Sequence, residues 1–91
     1  MGAEDTGWQR LDKFLFHARF CKTRTVAAEL VEAGGVRINR QPVEKAHARV
    51  RPGDVLTLAL PRGILVAEIL ALAPRREGAA QAQALYRVIG E

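Results

Sequence analysis

The hydrophobic period of this chain changes at Gly34-Gly35. Before the pair, apolar residues recur at helical spacing; after it, they alternate with polar ones. Glycine enters the left-handed conformation that closes a helix without steric penalty, so the pair reads as a helix stop from which a strand begins. Upstream, Val26, Ala27, Leu30 and Val31 form the apolar side of the helix that ends here, while Glu29 and Glu32 face water. Downstream, Val36-Arg37-Ile38-Asn39 has the alternation of a half-buried strand.

A second helix precedes the first. Leu11, Phe14, Leu15 and Ala18 fall at i, i+3, i+4 and i+7, the spacing of one buried stripe. Arg10, Lys13 and His17 share that spacing on an adjoining face, with His17 read as a polar-face residue. Trp8 lies just before this helix, where it can staple the entry. About three residues separate the helices, so they pack as a hairpin or corner. Thr23 is the expected N-cap of the second, because its hydroxyl can accept from an early backbone N–H.

Beyond the glycines, Asn39 to Pro42 reads as a turn and Val43 to Lys45 as a short strand. Pro52-Gly53-Asp54 is a second turn, Val55 to Leu60 a central strand, and Ile64 to Leu72 a longer one. Ala79 to Tyr86 has helix-forming composition with weak amphipathicity, so a short terminal helix is expected. The sum is an α+β fold: two packed N-terminal helices on a small, mostly antiparallel sheet of about four strands. The expected division is a tail over residues 1–8, a domain over 9–73 and an extension with a short helix over 74–91.

Ninety-one residues leave room for one domain and a modest core. The only cysteine, Cys21, cannot form an intrachain disulfide and reads as a small buried hydrophobe. No signal peptide opens the chain and no apolar run approaches membrane-spanning length, so a cytoplasmic protein without a membrane partner is expected. His17, His47 and Cys21 match no metal-ligand spacing, and no nucleophile–base pattern or phosphate-binding loop is present. Neither a cofactor nor an enzyme is therefore expected.

The charge is uneven. The net charge is +4, yet Arg10 to Arg51 alone carries ten basic against four acidic residues, +6. A field confined to one segment is the footprint of a polyanion-binding surface. The candidate contacts are Arg10, Lys13, Lys22, Thr23, Arg24, Asn39, Arg40 and Lys45. Arg10 and Lys13 are placed in the first turn of the first helix. Lys22, Thr23 and Arg24 stand where the second begins, among unpaired N–H groups that favour an anion. Arg24 there opposes the helix dipole, which calls for a compensating anion. Only five aromatic residues are present, so structured RNA held through phosphates and shape fits better than stacked single strands.

Several landmarks occur in a recognisable order: RLDKFL, the KTR step, AAELVEAGGVRIN, VEK and RPGD. Together they resemble the small RNA-binding domain named after ribosomal small-subunit protein four, the S-four domain, over Arg10 to Leu58. RLDKFLFHARFCKTRT and RREGAAQAQALY look most like the bacterial fifteen-kilodalton ribosome-associated heat-shock group within it. The resemblance implies binding of structured RNA on the large ribosomal subunit, in recycling of stalled subunits, through the same eight residues; a monomer is expected. Two departures stand out. Arg40 replaces the glycine usual after the hairpin Asn, which predicts a differently shaped turn, and the long basic tail of that group has no counterpart before Glu91. Two other functions fit the same residues: the targeting domain of an RNA-modifying enzyme such as a pseudouridine synthase, or a basic protein-interaction module.

Overall fold

The computed structural model describes residues 7–90. Their order is β1 (Gln9–Arg10), α1 (Leu11–His17), α2 (Arg24–Glu32), β2 (Val36–Ile38), β3 (Gln41–Pro42), β4 (Arg49–Val50), β5 (Val55–Leu60), β6 (Gly63–Ile69), α3 (Ala79–Gln83) and β7 (Tyr86–Gly90). Five strands form an antiparallel sheet in the order β3-β2-β5-β6-β7, and β1 and β4 pair separately.

The α+β architecture matches expectation, and alternation explains the core. On β5, Leu56 and Leu58 face the helices while Thr57 and Ala59 face away. In register, Leu58 meets Val36 and Leu65, and Leu56 meets Ile38 and Ala67. Leu11, Phe14 and Leu15 of α1 and Ala27 and Val31 of α2 close over this face. Each large apolar side chain buried there contributes about 1.5–3 kcal/mol. Cys21 belongs to the same core, and burial pushes its thiol pKa up, consistent with a packing role.

The two glycines that stop α2 do different things. Gly34 adopts φ +84°, the left-handed conformation, whereas a Cβ on Gly35 would lie 2.5 Å from Leu30 Cδ1. Gly35 also accepts from Ala59 N at 2.8 Å, tying the helix end to β5.

Four expectations change. Val26 is 45% exposed, because Ala27 and Val31, with half-buried Leu30 beside them, make the inward face of α2. The strand after the hairpin is Gln41–Pro42, and Val43–Lys45 has no regular structure, since the turn takes only two residues. The last helix ends at Gln83, and Tyr86–Gly90 becomes a fifth strand against β6. Trp8 is engaged by a partner the sequence did not indicate: its ring lies 4.3 Å from the guanidinium carbon of Arg49.

Candidate nucleic-acid interface

The amino end of α1 is fixed by the loop before β4. Leu11 N donates to Ala48 O at 2.8 Å and Asp12 N to Ala46 O at 3.0 Å. These bonds satisfy two of the amides that a helix start leaves unpaired. They also bring exposed Lys45, next to Ala46, toward the start of α1.

Arg10 is the extended residue before α1, not a member of its first turn, because it pairs in β1 with Arg49. Its side chain folds back on Asp12. Arg10 Nε donates to Asp12 Oδ1 at 3.1 Å and Nη2 to Oδ2 at 2.9 Å. Arg24 Nη2 reaches the same Oδ2 from α2 at 3.4 Å, and Lys13 N donates to Oδ1 at 2.8 Å. Asp12 is 4% exposed, whereas the two arginine side chains are about half exposed. The anion that compensates Arg24 is therefore supplied from within the protein. A buried carboxylate holds the arginine that precedes α1 and the first arginine of α2 side by side, with most of their N–H donors left over.

Charge counting enters Asp12 as one negative charge and so misses this role. The available signal was its position: an acid in a helical first turn between two basic neighbours, Arg10 and Lys13.

Thr23 caps α2 as expected, its Oγ1 accepting from Val26 N at 3.0 Å. Lys22 is exposed immediately before it, and Lys13 is half-buried beside Asp12. Arg10, Lys13, Lys22, Thr23, Arg24 and Lys45 thus cluster about the two helix starts.

Asn39 and Arg40 are placed differently. Both have left-handed backbone, φ +51° and +71°, so the hairpin keeps the two-residue turn favoured by Asn-Gly despite Arg40. Asn39 is exposed but turned back onto the neighbouring strand: Oδ1 accepts from Val55 N at 2.9 Å and Nδ2 donates to Asp54 Oδ1 at 3.0 Å. Asp54 Oδ2 in turn accepts from Arg51 N, so this carboxylate orders two turns. Arg40 lines a shallow groove with Val55, Thr57, Val66 and Ile89, on the side of the sheet away from the helices.

His17 is not on a polar face. It is 5% exposed, and Nδ1 lies 2.8 Å from Ala73 O. A carbonyl only accepts, so Nδ1 carries the proton. Burial lowers its pKa below 6.5, the bond to Ala73 opposes that, and the charges of Lys13 and Arg24 reinforce it.

Among the described residues, no three His, Cys, Asp or Glu side chains could together hold a metal ion. Nor, among the described residues, is any helix long and apolar enough to cross a membrane.

The S4 domain family model matches residues 9–56. Heat shock protein 15 homolog of Haemophilus influenzae is 41% identical over 78 residues, covering 86% of this chain and 59% of the relative. RQC P-site tRNA stabilizing factor of Bacillus subtilis is 38% identical over 60 residues, covering 66% of this chain and 69% of the relative. The chain thus spans about three fifths of the Haemophilus relative and more than two thirds of the Bacillus one. Heat Shock Protein 15 of Vibrio cholerae superimposes with a TM-score of 0.85 at 39% identity, covering 90% of this chain and 82% of that one. That structure is trimeric, so the expected monomer finds no support in it.

Proposed function

The chain belongs to the S4 domain family, and from that premise we propose that it binds structured RNA on the ribosome without catalysing a reaction. The observation that carries this reading is the Arg10–Asp12–Arg24 arrangement. Two guanidiniums anchored on one buried carboxylate are ordered before any ligand arrives, and both remain about half exposed. An ordered guanidinium loses less entropy when it forks onto a phosphate. Lys13, Lys22 and Lys45 add mobile positive charge around the pair, and Arg40 extends the footprint to the hairpin tip.

The finer reading is large-subunit ribosomal RNA as ligand, in the cytoplasm, during recycling of stalled subunits. Its support is the likeness to proteins named heat shock protein 15 and RQC P-site tRNA stabilizing factor. The latter name makes transfer RNA a ligand to compare with ribosomal RNA.

Filter binding of large-subunit RNA across a low-to-moderate salt series tests the proposal. Phosphate contacts predict a fall in log K with log salt of nearly one unit of slope for each phosphate neutralised. A flat response, or equal affinity for a neutral polymer, would refute it.

A further inference from the structure

The carboxyl end of α1 bears a second cationic cluster, opposite the end that holds Arg10 and Asp12. We propose that Phe16, Arg19, Arg75 and Arg76 form a further RNA-contact patch that takes the phosphodiester backbone of the same RNA. The proposal rests on the RNA-binding reading above, and Arg75 and Arg76 carry it past residues 9–56, the segment matched to the S4 domain.

Arg19 is the first observation. It has φ +64°, directly after the residue that caps α1. The turn around it is tightly bonded: Arg19 N donates to Phe16 O, and Phe20 N and Cys21 N to Leu15 O. This is the position where helices favour glycine, because a Cβ is strained there. The turn needs a left-handed residue, and glycine would supply one at lower cost. Nothing in the turn requires a guanidinium. That group lies on the surface, where Nη1 donates to Glu77 O at 3.0 Å.

Arg76 supplies the second. Its Nε donates to Phe16 O at 3.0 Å, and its guanidinium carbon lies 4.8 Å from the Phe16 ring centroid. Phe16 is thus the half-exposed aromatic of α1 and serves as a shelf for an arginine. Arg75 stands beside it with its side chain 79% exposed, and its 3.5 Å approach to Glu77 is a screened surface contact.

Of these three guanidiniums, only that of Arg75 approaches a carboxylate among the described residues. Two are ordered by main-chain carbonyls, as Arg10 and Arg24 are ordered by Asp12. With seven residues in α1, the two clusters lie about 10 Å apart along the helix. Structured RNA is read largely through phosphates and shape, and a ligand of that kind can touch both ends of so short a helix.

The test compares variants of the full chain by filter binding to large-subunit ribosomal RNA over a salt series. Arg19→Gly with Arg75→Gln should weaken binding and make the salt slope shallower by about 2, one for each arginine removed from a phosphate. Its Tm should match or exceed that of the wild type, because glycine relieves the turn. Arg75→Gln alone, at an exposed side chain, should remove about half of that slope change. Unchanged binding by both variants, with a loss in Arg10→Ala/Arg24→Ala, would overturn this patch and leave the first one standing. An equal loss from Arg62→Gln, at the exposed β5–β6 turn, would also overturn it by showing that any surface arginine counts. Salt-insensitive binding by the wild type would overturn both sites.

Discussion

Replacing Asp12 by alanine separates an anchoring carboxylate from an incidental surface acid. Asp12 accepts two bonds from Arg10, one from Arg24 and one from Lys13 N, and is itself buried. A fully buried ion pair broken on one side costs about 3–5 kcal/mol. Both arginine side chains are 44–45% exposed, so each pairing is discounted to about 0.5–1 kcal/mol. A carboxylate in the first turn of a helix adds about 0.3–1 kcal/mol through the dipole. Asp12→Ala should therefore cost about 2 kcal/mol, a fall in Tm of about 10 °C for a chain of this size. Urea denaturation measures the free energy directly. The same substitution in an Arg10→Gln/Arg24→Gln background should cost less than about 1 kcal/mol, because only the helix terms remain. An equal cost in both backgrounds would refute the coupling between the carboxylate and the two arginines.

Three further outcomes are expected. Lys22→Ala with Arg24→Ala should leave the Thr23 cap and the fold intact but make the RNA salt slope shallower by about 2, whereas Arg62→Ala with Arg87→Ala should not; equal slopes would make the surface generic. Arg40→Gly should raise stability by about 0.5–1 kcal/mol, since it removes a side chain at φ +71°, while lowering RNA affinity; thermal unfolding and filter binding read the two effects, and a destabilised variant would contradict the turn argument. His17 has a folded pKa below its ordinary 6.5, so the unfolded chain takes up the proton first. Its stabilising contribution is then full above pH 6.5 and is lost as the pH falls from there through the folded value. His17→Gln should flatten that part of the stability profile in urea melts, and an unchanged profile would assign the pH dependence elsewhere.

Helix α1, β5 and the glycine stop were legible because each is set by local period or by backbone freedom. The alternation of Val55–Leu60 and the spacing of Leu11, Phe14 and Leu15 carry their partners' direction within themselves. Strand β7 was hidden for the opposite reason. Tyr86-Arg87-Val88-Ile89-Gly90 alternates poorly, and it extends only because β6 offers an unpaired edge. Val26 misled for a related reason: its spacing fits the stripe, but Ala27, Leu30 and Val31 are the α2 residues that pack on the core.

The candidate site divides along the same line. Thr23 was readable as a cap because capping is a relation between neighbours, Thr23 and Val26. Asn39 was readable as a turn residue, but its side chain answers to Asp54 and Val55, fifteen and sixteen positions away. Asp12 is the extreme case, since its meaning depends on Arg24 arriving from another helix. A charge count treats that acid as a loss of attraction for phosphate. The geometry reverses its sign of importance: without the carboxylate, Arg10 and Arg24 would repel one another and stay mobile, and each would have to be ordered by the ligand itself. Positive charge alone supplies attraction, while the buried acid supplies the fixed spacing on which any discrimination between RNA shapes must rest.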